Sequence, residues 1–372
     1  MSGEQIEIQI IASLVAVTCA IPGVFLVLRR MAMMSDAISH AILLGIVLAF
    51  FAIHDISSPL LIIGAALSGV LTVSIVELLN KTKLVKEDAA IGLVFPVLFS
   101  IGVILIARYA WSIHLDVHAV LLGELAFAPF DRLTVGGFDL GPKSLYVMGT
   151  ILLINLIFIL LFYKELKIST FDAGLAAALG FSPGLIHYGL MGLVSVTAVG
   201  AFDAVGSILV VALMVTPPAA AYLLTDKLSY MIILSAVIGV VSAISGFWLA
   251  ILLDANIAGS MATMAGLVFL IVFLFAPDRG IVAIARRRSR QRWEFAGKML
   301  AIHLLNHEGT PDEKRESQVE HLEENLCWKE GFANKVIKYA ESKGILIHDR
   351  GMLRLTGYGR EYAMKSVTDE ST

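Results

Sequence analysis

Nine apolar runs, each near the roughly 20 residues that carry a helix across a bilayer, dominate this chain. They lie at about 6–28, 36–53, 59–79, 89–107, 144–163, 185–201, 203–224, 229–253 and 259–276. In hydrocarbon every unpaired backbone N–H or C=O costs several kcal/mol, so such runs are usable only as helices packed into a bundle. The expected fold class is therefore an all-α polytopic membrane protein. Charged side chains make up 16% of the 372 residues, well below the roughly 25% of a soluble domain. The sixth and seventh runs nearly touch, which leaves eight spans with one broken helix open beside nine. The first run does not fit a cleavable signal, because Glu4 and Glu7 stand where such a signal carries Lys or Arg.

Charge density divides the chain. Up to Arg290 there are 16 Lys plus Arg and 17 Asp plus Glu, whereas the last 82 residues hold 12 and 14. The expected organisation is a transmembrane domain at 1–285, a basic linker or helix start at 286–298, a small soluble domain at 299–366 and a tail at 367–372. With the N-terminus outside, 13 Lys or Arg fall in inner loops, while Arg108, Arg132 and Lys143 fall outside. That asymmetry matches the positive-inside rule, so the expected orientation is N-out and C-in, with the soluble domain in the cytoplasm. Cys19 and Cys327 are the only cysteines, one in an apolar run and one in the polar tail, so neither a disulfide framework nor thiolate metal chemistry follows. A net charge of -3 favours neither nucleic acid nor an acidic membrane surface as the main partner.

Pro22-Gly23, Pro96 and Pro217-Pro218 remove helical hydrogen bonds inside the spans, where protein or a water-filled cavity has to re-satisfy the backbone. Broken helices of this kind line transport pathways, and each is equally readable as a packing kink. Most charges fall in loops; Asp36 and His40 do not. An Asp at the centre of a span costs about 2.5–3.5 kcal/mol on insertion scales, so one that is kept usually faces the bundle interior or a functional path. Asp36, Ser39 and His40 stand at i, i+3 and i+4, on one helix face. A carboxylate and an imidazole on one stripe make half a metal site. The same pair from a second subunit would give two oxygens and two nitrogens around a shared axis, a set that suits zinc, manganese or iron. The spacing also fits a buried ion pair, or a helix start capped by Ser35 or Asp36. Asp203, after a bend at Gly200, reads as a boundary residue, and His187 and Glu77 as hydrated residues near the inner face. His114, Asp116, His118 and Glu124 read as a solvated outer loop able to accept an ion.

Five segments carry a resemblance. RRMAMMSDAISHAILLGIVLAF (29–50), EDAAIGLVFPVLFSIGVILIAR (87–108), FDAGLAAALGFSP (171–183), AVGSILVVALMVTPPAAAYLLT (204–225) and APDRG (276–280) occur in this order. Together they resemble the integral-membrane permeases of ABC transporters that import zinc, manganese or iron, the ABC-3 family, over about 6–285. The resemblance implies a type II-like importer permease in the bacterial cytoplasmic membrane and a permease dimer, of two copies or of paralogues. It also implies two cytoplasmic ATPase subunits and an extracytoplasmic protein that delivers the ion. The Asp and His of the family's second-helix motif match Asp36 and His40, and its coupling helix, which sits in a groove of the ATPase, matches Ala176, Ala177, Ala178, Leu179 and Gly180. Apart from the resemblance, 171–182 reads as one short helix, apolar, Ala-rich, too short to span, and bounded by Asp172, Gly180 and Pro183. No GxxxxGK[ST] occurs in the chain, so ATP hydrolysis belongs to a partner subunit and the chain is not itself the enzyme.

The tail reads as a different module. Apolar residues recur at helical spacing in 295–306, 318–326 and 331–342, and 344–356 alternates as a hairpin turning at 349–351, with a closing helix after Thr356. Three helices and a wing make a winged helix. LTGYGREYA (355–363) resembles the end of the DNA-binding domain in metal-responsive repressors of the diphtheria-toxin-repressor type. Lys335, Lys338, Arg350 and Arg354 occupy positions where such a domain contacts phosphates. The tail nevertheless carries two more acidic than basic residues, whereas DNA-binding domains are basic, so a protein contact is expected. His303, His307, His321 and His348 read as solvated or core histidines, with His303 and His307 at i, i+4 able to hold a metal weakly.

The expected function is that of a permease subunit importing a divalent metal, with manganese favoured by the tail's likeness to manganese and iron repressors. The metal is cargo and no cofactor is bound covalently. A membrane-anchored metal-responsive regulator would need a basic recognition surface that is missing, and an intramembrane protease of the metal type would need HExxH, which does not occur.

Overall fold

A computed structural model describes residues 3–54, 60–109, 125–135, 138–319, 322, 326, 328, 330–349 and 351–369. The chain divides into two compact units, Met1–Gly280 and Ile281–Thr372.

The first unit is a helical bundle of α1 (Gly3–Leu28), α2 (Ala32–Ile53), α3 (Leu60–Lys81) and α4 (Glu87–Tyr109), followed by a hairpin of β1 (Arg132–Val135) and β2 (Phe138–Pro142). Then come α5 (Lys143–Leu161), two short helices α6 (Tyr163–Phe171) and α7 (Ala173–Ala178), and α8 (Pro183–Leu224), α9 (Leu228–Leu253) and α10 (Ile257–Phe275). Among the described residues nine helical stretches are long and apolar enough to cross a membrane, two of them within α8. The break in α8 is Gly206, at φ 77 and ψ 165, a backbone region open essentially to glycine alone. His187, near the start of α8, meets Arg29 at the end of α1. Gly23, a little before Arg29, lies against Met214 in the second half of α8. Tyr163 bonds to Ser229, just beyond the end of α8, and Arg29 bonds to α6 as well. Both ends of α8 therefore lie at one end of the bundle. The chain reverses at Gly206, which decides for nine spans over eight.

Small residues set the helix spacing. A Cβ on Gly45 of α2 would stand 2.7 Å from the Ser68 Cβ of α3, and one on Gly64 would stand 2.5 Å from the Ala49 Cβ, closer than real carbons come. A Cβ on Gly23 would likewise stand 3.1 Å from Pro218 Cγ, so the two Pro-interrupted stretches of α1 and α8 pack on each other. Asn155 of α5, fully buried, donates to Thr18 O of α1 at 3.1 Å and to Thr197 Oγ1 of α8 at 3.0 Å. Such side-chain bonds between helices supply the adhesion that lipid does not.

The second unit comprises α11 (Ile281–His307), α12 (Glu313–Glu316), α13 (Glu330–Ser342), the strands β3 (Leu346–Asp349) and β4 (Met352–Leu355), and α14 (Gly357–Asp369). The run Arg286–Arg290 lies inside α11, which begins well before the start expected near Phe295. Arg favours helix, and Arg290 pairs with Glu294 one turn on at 2.7 Å. β3 and β4 pair antiparallel, Leu346 with Leu355 through Asp349 with Met352. Leu353 N–H also donates to Ser317 O at 2.9 Å, tying the chain after α12 to the hairpin. The helix expected at 318–326 falls mostly outside the described residues, as do His321, Cys327 and Arg350. Leu300, Ala301, Val336, Ala340 and Ala363 form a core with no exposure, and Trp293 stacks on Phe332 at 5.4 Å.

Candidate metal site

α1 ends in a Schellman turn: Arg30 N–H donates to Val27 O and Met31 N–H to Leu26 O, with Arg30 left-handed at φ 62. α2 then starts at Ala32 with Met31 as its N-cap and no side-chain cap. Asp36 thus sits in the second turn, which removes the capping alternative for Ser35 and Asp36; the Ser35 hydroxyl donates to Ala32 O instead, at 2.8 Å. Asp36 Oδ1 and His40 Nε2 are 3.4 Å apart, longer than a good hydrogen bond. At 1.5 Å per residue they lie about 6 and 12 Å along α2 from its first residue.

The His40 ring is held by two aromatic side chains of α4, stacked on Phe95 at 5.6 Å and edge-on to Phe99 at 5.9 Å between centroids. Even so, the Asp36 and His40 side chains remain 32% and 30% exposed. Leu93, Val97 and Ile104 of α4 are exposed as well.

Beside the base of α2 a cavity of about 200 Å³ is lined by Met31, Met34, Glu77, Asn80 and His187, among others. Two of these have direct partners: Glu77 pairs with Lys81 at 3.1 Å, and His187 Nδ1 lies 3.2 Å from Arg29 Nη1. Arg29 also donates to Thr170 Oγ1 at 3.1 Å and Ser169 Oγ at 3.0 Å. Burial pushes the Arg29 guanidinium down to about 10, so it stays charged at neutral pH and joins α1, α6 and α8.

The short segment that follows is built differently from the single helix expected over 171–182. Asp172, extended at φ -151 and ψ 98, ends α6 and caps α7 by accepting Leu175 N–H at 2.9 Å. Asp172 favours this break because its carboxylate satisfies an otherwise unpaired N–H. Ala176, Ala177 and Ala178 lie in α7, while Leu179 and Gly180 form its closing Schellman turn, with Gly180 at φ 85. Ala176 is fully buried, whereas Phe171, Leu175 and Leu179 are 64%, 51% and 57% exposed. This is an apolar knob at the Arg29 end of the bundle.

Residues 5–276 match the ABC 3 transport family. The chain belongs to that family. The permease is 48% identical over 353 residues to the zinc transport system membrane protein TroD of Treponema pallidum (strain Nichols), covering 95% of this chain and 96% of the relative. It is also 48% identical over 284 residues to the manganese transport system membrane protein MntD of Bacillus subtilis (strain 168), covering 76% of this chain and 96% of the relative. Among solved structures, PsaBC from Streptococcus pneumoniae in complex with Fab superposes with a TM-score of 0.62 at 30% identity, covering 75% of this chain and 94% of that one. The permease is thus a multi-pass membrane protein and a transport subunit, not an enzyme.

Of the residues singled out by spacing, the permease brings Asp36 and His40 together. Asp203 lies in α8, just ahead of the Gly206 break. His114, Asp116, His118 and Glu124 lie outside the described residues. Sequence reasoning missed Phe95 and Phe99 as the wall behind His40, although their i, i+4 spacing on α4 was visible. It treated Arg29 only as an inner positive charge, because its partners are distant in sequence.

Proposed function

We propose that the chain is the membrane subunit of an ATP-driven importer of a divalent transition metal, and that Asp36 and His40 are its ion ligands. One observation carries this: a carboxylate and an imidazole, 3.4 Å apart on a spanning helix, are left about a third exposed at the bundle surface. Ionisable groups facing acyl chains are costly and rare, so a second permease subunit, identical or paralogous, covers them. A symmetric copy completes a set of two oxygens and two nitrogens. That set accepts zinc, manganese or iron, and affinity alone does not choose among them. The tail's likeness to manganese and iron repressors favours manganese, whereas the relative aligned through the tail is named for zinc.

Two cytoplasmic ATPase subunits grip the knob of Phe171, Leu175 and Leu179 on and around α7, Arg29 transmits its movement to α1 and α8, and an extracytoplasmic binding protein delivers the ion. The excess of Lys and Arg at the Arg29 end supports N-out, C-in, with a cytoplasmic C-terminal unit of winged-helix type that contacts protein in preference to DNA. Radiometal uptake by the reconstituted transporter tests the site: Asp36→Asn and His40→Ala should each lower accumulation to background while the ATPase still co-purifies. Unchanged accumulation in both would remove the assignment.

A further inference from the structure

The second unit contains a cluster that the transport reading does not use. His303 and His307 lie at i, i+4 on the last turns of α11, their rings 4.8 Å apart between centroids, the spacing by which one helix face presents two imidazoles to a metal. Glu316, at the end of α12, brings a carboxylate oxygen to 3.5 Å from His303 Nε2. One ligand atom from each of the three residues lies within 4.8 Å of the others. His303 Nε2 is buried and makes no hydrogen bond, in a side chain only 10% exposed. An orphaned buried ring nitrogen is a cost that a fold rarely tolerates without a partner.

We propose that His303, His307 and Glu316 form a divalent transition-metal site in the C-terminal unit. Bonds of about 2.0–2.1 Å at tetrahedral angles put ligand atoms about 3.4 Å apart, so the His303–Glu316 pair already has the spacing of one tetrahedral edge. His307 closes the remaining gap by a rotamer adjustment. Two imidazole nitrogens and one carboxylate oxygen leave a fourth position for water and favour zinc over manganese in affinity. The loop between the ligands is already shaped, since Gly309 is left-handed at φ 76 and its N–H donates to Glu313 Oε2 at 2.8 Å. A bound ion therefore staples α12 to the end of α11. Through Ser317, whose carbonyl accepts from Leu353, the staple reaches the β3–β4 hairpin. The family match ends at residue 276, ahead of His303, His307 and Glu316. The site is therefore an addition to the permease, and we assign it to sensing metal in the compartment that the C-terminal unit faces.

The test does not depend on the transmembrane ligands. Full-length protein carrying Asp36→Asn and His40→Ala is stripped of metal in nanodiscs. Zinc is then counted by equilibrium dialysis with elemental analysis, and cobalt serves as an optical probe of tetrahedral coordination. This background should keep one equivalent of zinc and the visible bands of tetrahedral cobalt; adding His307→Gln should remove both. His303→Ala should do the same, with hydrogen exchange of β3 and β4 confirming that the unit is folded. Equal zinc counts with and without His307 would overturn the site. A failure of the Asp36 and His40 assignment would appear separately, as equal counts in the parent chain and the Asp36→Asn, His40→Ala background.

Discussion

In α3, Ala65, Ser68, Gly69 and Thr72 are buried while Ile63, Leu67, Leu71 and Leu78 are exposed. In α11, Ala296, Leu300, Ala301 and Leu304 are buried and the arginines are exposed. α3 thus buries small residues and exposes large ones, whereas α11 buries Leu and exposes its arginines. Lipid is as apolar as Leu, so a spanning helix gains nothing by hiding Leu and gains contact by facing small residues inward. Water reverses the preference, because each buried apolar Å² contributes roughly 25 cal/mol. Inside one chain, then, Ser and Gly mark the inward face of α3 and Leu marks that of α11.

The largest effect should come from truncating a buried Leu where water is the solvent. Leu300 is fully buried in the second core, and Leu300→Ala should cost about 2–5 kcal/mol, a large part of the roughly 5–15 kcal/mol that holds a domain. Hydrogen exchange should show protection collapsing in α13, β3 and β4 while α1–α10 keep theirs. Loosening in both units would break the comparison, by making them a single cooperative block.

Which parts of this were legible in the sequence follows from the same sorting. The spans were, because length and apolarity suffice to call a membrane helix. The Asp36–His40 pairing was, because i, i+4 geometry is local. The lateral exposure of that pair was not, since it depends on how α4 packs on α2. The reversal at Gly206 was invisible for a related reason: glycine is common in spans, and only the contacts of Gly23, Tyr163 and His187 reveal which one turns the chain. Arg286–Arg290 looked like a linker because a charge run carries no apolar period, yet Arg290 and Glu294 reinforce the helix. Asp172 split a stretch that composition alone presented as one helix.

A smaller effect is expected from enlarging an inward-facing glycine. Gly45→Ala places a Cβ against Gly64 and Ser68, and overpacking of this kind costs about 1–3 kcal/mol. Gly92 has nothing within 4 Å of its notional Cβ, so Gly92→Ala is the control. Thermal unfolding of the detergent-solubilised chain should shift down for Gly45→Ala and not for Gly92→Ala. Equal shifts would mean that helix propensity, not close approach, decides what glycine does in these spans.

The smallest effects sharpen the contrast between polar contacts in the two solvents. Asn155 bridges α1 and α8, yet Asn155→Leu leaves Thr197 its bond to Leu193 O at 2.8 Å, and side-chain bonds between membrane helices average only about 0.6 kcal/mol, with a maximum near 1.7. Arg360 pairs with Glu308 through two bonds from Nε, at 2.9 and 3.0 Å, and a third from Nη2, and this raises the Arg360 pKa. That pair is solvated, so water and salt screen it. Glu308→Gln should therefore change exchange protection in α14 less than Asn155→Leu changes it in α5, and the change should fade on adding salt, whereas the Asn155→Leu change should not. Salt-independent loosening in Glu308→Gln would show that the fork between Arg360 and Glu308 acts as part of the packed core, and the C-terminal unit would then depend on polar geometry as much as the membrane unit does.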